Sequence, residues 1–324
     1  MANAMKTTRS ITIKSYAKIN LSIDVLGKLD NGYHEVEMVM QQVALHDDVC
    51  VKWMPGEPGG RRTGGGNETE ISLGCNRPYL PRDERNLAFR AAQLMASQFA
   101  PGGGRIRIDI KKRIPVGAGL AGGSGNAAAV LLGLSWIWDL GLPLSELCRL
   151  GAKLGADVPF CIMGQARANP CLGKAAAADP MAAACALARG TGTVLTPAAA
   201  LDCYVVLTKP PISVSTAEVY EGLDRYPIVR RPDTPALLAG LLEKNYDKIQ
   251  KNMGNVLEIY TLKRYPIVMY TKNMVQQENG SFKVMMSGSG PTIFALFKNK
   301  EQAQAVYESM LTHHKETYLT RTIT

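Results

Sequence analysis

From Ser10 to Val51 the chain alternates apolar and polar residues over much of its length. ITIKSYAKINLSIDVL and HEVEMVMQQVAL flank a turn at Asp30-Asn31-Gly32. Asn-Gly between two such runs is a strong hairpin signal, so two strands are predicted here. NLAFRAAQLMASQFA repeats its apolar residues with the helical period, and Asn86 stands where an N-cap belongs. After the turn at 101–104, RIRIDIKKRI alternates isoleucines with charges, as a half-exposed strand does. Residues 115–134 (PVGAGLAGGSGNAAAVLLGL) are a glycine-rich turn running into an Ala/Leu helix. A short helix from Ser145 and the segment LGADVPFCIMG follow. DCYVVLTKP reads as a strand, STAEVYEGL as a capped helix, and residues 234–280 as mostly helical. FKVMMSGSGPTIFALF is strand, glycine turn and strand, and EQAQAVYESML closes the chain as a helix assigned to packing. Strands and helices mix without regular βαβ alternation, which predicts an α+β fold rather than a doubly wound sheet.

Two stretches resist this reading. PGEPGGRRTGGGN, residues 55–67, is so rich in glycine and proline that a mobile surface loop is predicted. Residues 166–189 are rich in alanine and hold two prolines. A helix pair and a loosely ordered excursion both fit them.

With 324 residues, 46% of them hydrophobic, the chain can bury a core and is expected to form about two domains. No apolar run approaches the roughly 18 residues that span a bilayer, and MANAMKTTRS lacks a signal-peptide core. A cytoplasmic location without membrane contact is therefore expected. The formal charge of +9 suits an anionic ligand. The basic residues are scattered and the aromatics few, so no nucleic-acid surface is expected. Seven cysteines show no CxxC pair and no cluster with histidine. Free thiols are the expectation.

The richest chemistry lies in the glycine stretch. Gly117-Ala118-Gly119-Leu120-Ala121-Gly122 matches the dinucleotide fingerprint G-x-G-x-x-G. The context argues against a nicotinamide-dependent oxidoreductase: Asp139, the candidate ribose-binding acid, falls at the end of the same helix. No Walker lysine follows the glycines either. What remains is physical: glycines let main chain approach a ligand closely, and the following helix turns free N–H groups and the positive end of its dipole toward the loop. A plain glycine turn before a core helix is the competing account of the segment taken alone.

PVGAGLAGGSGNAAAVLLGL resembles the phosphate loop of the GHMP kinases. SYAKINLSIDVLGKLDNGYHEVEMVMQ, LGADVPFCIMG, KPPISVSTAEVY and MSGSGPTIFALF are similar, in order, to further segments of that family, in its branch acting on a diphosphocytidyl sugar alcohol. The resemblance implies a two-domain α+β fold of mixed sheets with helices and an active site in the cleft between domains. Residues 1–165 would form the nucleotide-binding domain and 166–324 the C-terminal one, with 166–189 as an insertion of about 18 residues. It also implies transfer of the ATP γ-phosphoryl to the 2-hydroxyl of a diphosphocytidyl methylerythritol, in non-mevalonate isoprenoid synthesis. Another alcohol acceptor in the same family is the alternative. The partner is a small molecule, and the protein is expected to be a monomer or weak homodimer.

By the same resemblance, Asp157 is the general base and Lys18 the cation that orients it and neutralises charge. ATP would lie over Pro115, Val116, Gly117, Ala118, Gly119, Leu120, Ala121, Gly122, Gly123, Ser124 and Gly125, with Asn86 and Lys112 flanking the adenosine. The usual Gly-Gly-Ser-Ser is altered here, since position 125 is glycine. Asn126 also stands where many members carry Asp. Magnesium is expected, with its ligands unassigned. The cytidine base would be read by His34 and sandwiched by Tyr33 and Tyr220, with Asn20 and Thr216 on the diphosphate or polyol. Ser287-Gly288-Ser289-Gly290 would pack beside the phosphate loop.

Overall fold

A computed structural model describes residues 7–56 and 69–324. From residue 57 onward the glycine-rich stretch 55–67, with its expected mobile loop, lies outside the described residues. In chain order come β1 (Arg9–Lys28), β2 (His34–Pro55), β3 (Thr69–Cys75), α1 (Leu87–Phe99), β4 (Gly104–Lys111), α2 (Gly122–Ile137), α3 (Leu144–Ala152), α4 (Val158–Ala168) and α5 (Lys174–Ala178). Then follow β5 (Cys185–Arg189), β6 (Val194–Pro197), β7 (Tyr204–Lys209), α6 (Thr216–Leu223), α7 (Thr234–Leu242), α8 (Tyr246–Asn252) and β8 (Gly254–Asn255). The chain finishes with α9 (Glu258–Arg264), α10 (Pro266–Gln277), β9 (Lys283–Met286), β10 (Ile293–Phe297), α11 (Lys300–His313) and β11 (Glu316–Arg321). The fold is α+β, as the irregular alternation predicts.

Two compact units are present. One takes the described residues of Met1–Tyr16, His46–Arg113 and Gly122–Ala182, and the other takes Ala17–Leu45, Ile114–Ala121 and Ala183–Thr324. The long strands β1 and β2 each give one half to each unit.

In the first unit β4 pairs antiparallel with the second half of β2 (Val51 opposite Ile108) and parallel with β3 (Ile71 opposite Ile106). Ile106, Ile108 and Ile110 are buried while Arg105 and Arg107 are exposed, so the alternating pattern has one face in the core. Helix α1 starts where its cap predicts: the Asn86 side chain accepts the Ala88 N–H at 3.0 Å. Helix α2 is apolar on all sides and almost wholly buried, the expected fate of such a helix. Trp53 and Trp138 meet edge to face at 5.4 Å under it.

In the second unit the first half of β2 pairs with β5 (Val39 opposite Leu187), β5 pairs with β6, and β8 runs parallel to β1. A second antiparallel sheet has the order β11-β7-β10-β9. Ala17, Ile19 and Leu21 of β1, Val205 and Leu207 of β7, and Phe294 and Leu296 of β10 share one buried core with Leu237 and Ile249 of the helices.

The alanine-rich stretch 166–189 is neither a helix pair nor a loose excursion. It ends α4, makes a 3-10 turn over Pro170–Leu172 and the single turn α5, and closes as β5, whose first four residues are buried. Asn169 anchors its start, donating to the Lys14 carbonyl at 3.1 Å and accepting the Lys14 N–H at 2.9 Å. CALA is too short and too uniformly apolar for its period to separate strand from helix. Pairing with β2 decides it.

All seven cysteines are free thiols. Burial alone pushes the Cys185 thiol up to about 12, so that thiol is inert packing. No helix among the described residues is long and apolar enough to cross a membrane.

Candidate active site

In the second unit two glycine turns interlock. The Lys18 N–H donates to the Leu120 carbonyl at 3.2 Å, which ties the first half of the glycine loop to β1. Gly119 has φ +72°, and a Cβ there would strike the Ser287 carbonyl oxygen and stand 3.0 Å from that of Gly290. Gly288 has φ +59°, and a Cβ there would lie 3.1 Å from the Gly119 carbonyl oxygen. Only residues without a side chain allow this approach in that backbone region. The Ser287 hydroxyl then donates to the Gly119 carbonyl at 3.0 Å. The 287–290 turn therefore packs beside the loop, as its sequence suggests.

Neutral side chains hold that turn. Asn255 Nδ2 donates to the carbonyls of Met286 and Gly288 at 2.9 and 2.8 Å. Thr261 donates to the Ser289 carbonyl at 3.2 Å, and the hydroxyls of Thr216 and Ser289 lie 3.0 Å apart. Lys18, only 4% exposed, donates from Nζ to Asn20 Oδ1 at 2.6 Å. Its ammonium lies 3.5 Å from the point a Cβ on Gly288 would occupy. One unit thus gathers Lys18, Asn20, Thr216, the loop at Gly119 and the Ser287–Gly290 turn.

In the first unit the other half of the loop becomes the first turn of α2, which begins at Gly122 and carries no acidic residue there. Gly123 is exposed and Gly122 and Ser124 half-buried, and the leading N–H groups of a helix carry partial positive charge. Behind them lies a closed polar cluster. Lys112 Nζ reaches Asp47 Oδ2 at 2.5 Å and Asn126 Oδ1 at 3.4 Å. Asn126 Nδ2 donates to Asp47 Oδ2 at 2.9 Å and to Ser15 Oγ at 3.1 Å. The Lys112 ammonium is therefore engaged with residues on β2 and α2. The Asn86 side chain is likewise engaged, capping α1 and donating to the Pro81 carbonyl at 2.9 Å.

Asp157 occupies the N-cap position of α4, half-buried, with helical dihedrals and no capping bond from its side chain. Asp157, Cys161 and Gln165 recur at i, i+4 and i+8 and so begin one stripe of the helix. Gln165 turns that stripe to α2, donating to the Gly125 carbonyl at 2.9 Å. Asp157 thus opens the helix whose Gln165 holds the first turn of α2.

At the β1–β2 hairpin Tyr33 is 67% exposed. The His34 ring lies 5.2 Å from Tyr220, tilted by 37°, and its Nε2 stands 2.7 Å from Asp224 Oδ1. The bond from His34 holds the Asp224 carboxyl below its ordinary range against the opposing effect of burial. Lys28 Nζ meets the other carboxylate oxygen at 3.0 Å.

Several of these residues escape sequence reasoning. Asp47, Gln165, Asn255 and Asp224 stand in no motif, and each acts on a partner distant in sequence. The fingerprint G-x-G-x-x-G is a coincidence of the loop: Asp139 follows α2 and pairs with Arg9 at 2.8 Å.

Comparison with known proteins narrows the identity. The pattern described as GHMP kinases N terminal domain matches residues 86–165, and that described as GHMP kinases C terminal matches residues 237–316. A 4-diphosphocytidyl-2-C-methyl-D-erythritol kinase of Alkaliphilus oremlandii is 42% identical over 97% of both chains. One of Acetivibrio thermocellus is 40% identical over 97% of this chain and 99% of that one. A crystal structure of 4-(cytidine 5'-diphospho)-2C-methyl-D-erythritol kinase superposes with a TM-score of 0.72 at 28% identity, covering 96% of this chain and 99% of the other. Homoserine kinase from Cytophaga hutchinsonii shares the fold at a TM-score of 0.68 and 17% identity. The chain belongs to the GHMP kinases, in the family of the 4-diphosphocytidyl-2-C-methyl-D-erythritol kinases.

Proposed function

We propose that this protein transfers the γ-phosphoryl of ATP to the 2-hydroxyl of 4-diphosphocytidyl-2-C-methyl-D-erythritol, the compound its relatives are named for. The observation that carries the reading is near-full-length identity of about 40% to those relatives. ATP lies along the glycine loop at 115–125, its phosphates on the leading N–H groups of α2. Lys112 and Asn86 flank the adenosine, each held in place by its own bonds.

Asp157 accepts the hydroxyl proton as the oxygen attacks the γ-phosphorus, and the bond to the ADP oxygen breaks. A positioned base of this kind contributes about 10²–10⁴-fold. Lys18 neutralises charge on the transferred group, and Asn20 and Thr216 contact the diphosphate or polyol. His34, Tyr33 and Tyr220 take the cytosine.

Magnesium fits as a companion of the nucleotide rather than as a resident centre. Among the described residues no group of three His, Cys, Asp or Glu could hold a metal. An ion that accompanies nucleotide phosphates needs only one or two protein oxygens, and the Ser124 hydroxyl would supply one. Bound there, it would spread the negative charge of the phosphates.

A coupled assay with ATP, magnesium and the diphosphocytidyl substrate tests the reading. Asp157→Asn is expected to bind both substrates and lose at least about a hundredfold in turnover. Undiminished turnover would remove Asp157 from its role. His34→Ala is expected to raise the Michaelis constant for the cytidine substrate with turnover little changed, because it removes binding remote from the reacting atoms.

A further inference from the structure

The two nitrogens of His34 are not equivalent. Nε2 is held at 2.7 Å by Asp224 Oδ1, and the whole ring is 7% exposed. An ionised carboxylate only accepts hydrogen bonds, so Nε2 carries the proton. Lys28 Nζ stands 3.0 Å from the other oxygen, so both oxygens of the carboxylate are engaged. In the neutral ring Nδ1 is then an acceptor. Tyr220 packs on the same ring, and both Tyr220 and Asp224 come from α6 and its C-terminal cap. One short helix therefore fixes the tilt and the tautomer together.

We propose that Asp224 is a positioning residue that sets base specificity: it locks His34 as the Nε2–H tautomer, leaving Nδ1 to accept from the 4-amino group of cytosine. Uracil has the same shape but an oxygen at that position, and two acceptors would face each other. Stacking on Tyr33 and Tyr220 cannot make this distinction, since every base has a π-face. The tautomer can. This inference rests on the reading that His34 faces the base.

The test compares kcat/KM for the diphosphocytidyl substrate and its diphosphouridyl analogue. The wild type favours cytidine. Asp224→Asn, whose amide can donate as well as accept, is expected to lower that preference at least about tenfold, the scale of one base-edge contact. The change falls mainly on the KM for the cytidine substrate. Asp224→Glu keeps an acceptor and is expected to retain most of the preference. Nitrogen-15 NMR of the histidines reads the cause directly: Nδ1 of His34 is unprotonated in the wild type and becomes a tautomer mixture in Asp224→Asn. A role confined to structure would lower both substrates equally, and an unchanged ratio with an unchanged tautomer overturns the proposal. His34→Ala separates the two levels. If it leaves the cytidine KM unaltered, the base-pocket reading fails and this inference with it. If it raises that KM while Asp224→Asn leaves the ratio intact, only the role of Asp224 is wrong.

Discussion

Two lysine–carboxylate clusters, one in each compact unit, are built on opposite principles. Lys112 and Asp47 are 5% and 0% exposed at their side chains. Asp47 is saturated there, taking Lys112 and Asn126 on Oδ2 and the Arg113 N–H on Oδ1 at 2.7 Å. Lys28 and Asp224 are 54% and 34% exposed, and the cluster leaves one ring nitrogen of His34 uncommitted to Asp224. Burial makes the first cluster costly to disturb. Exposure of Lys28 and Asp224 makes the second cheap to disturb, although the His34 side chain held by Asp224 is only 7% exposed. The same residue types thus form a closed cluster in one place and an open one in the other, and under the proposed function the first braces while the second recognises.

The sharpest way to break this contrast is Asp47→Ala. It would leave the Lys112 ammonium buried without its carboxylate, and removing one partner of a buried pair costs about 3–5 kcal/mol. Urea unfolding followed by circular dichroism should show a loss of that size. A loss below about 1 kcal/mol would mean that the cluster is wetter than its burial implies.

Asn126→Asp probes the charge balance of the same cluster. Asn126 Nδ2 donates to Asp47 Oδ2, so it serves the cluster as a neutral donor. The substitution would set two carboxylates against one ammonium and cost about 1–3 kcal/mol through the lost donor. Asp47→Asn added to it restores a single carboxylate, so the double variant is expected to be more stable than Asn126→Asp alone. A double-mutant cycle that finds the two changes additive would dissolve the coupling.

The two clusters also differ in how far the sequence reveals them. The loop at 117–125 announces itself through glycine spacing, α1 through Asn86, and the hairpin through Asn31-Gly32, because each is a local signal. Asp47 and Asp224 do not, since their partners Lys112 and His34 lie 65 and 190 positions away. Strand β3 escapes for the same reason: TEISLGC becomes a strand by pairing parallel to β4. Nor does the periodicity of β1 and β2 mark where each passes from one unit to the other. Local chemistry is legible, and pairing across the chain is not.

Acid pH addresses the exposed cluster. The folded Asp224 carboxyl lies below its ordinary value, chiefly through the bond from His34. Its stabilisation is therefore present above the unfolded value of about 3.9 and is lost as pH falls through the folded one. His34→Ala removes the bond. The stability gap between wild type and this variant is expected to be open at pH 5 and to narrow toward pH 3, with thermal melts as the measurement. A gap that widens on acidification would reverse the assigned cause.

Lys28→Ala should have the smallest effect of all. Its ammonium is more than half exposed, and surface ion pairs contribute about 0–1 kcal/mol. The melting temperature should barely move, and what does move should vanish in high salt, where exposed charges are screened. Asp224 keeps His34 when Lys28 is gone, so the hairpin stays tied to α6 through a single bond. A loss as large as that of Asp47→Ala would show that the exposed cluster is structural after all. The division between bracing and reading would then have no basis in solvent access.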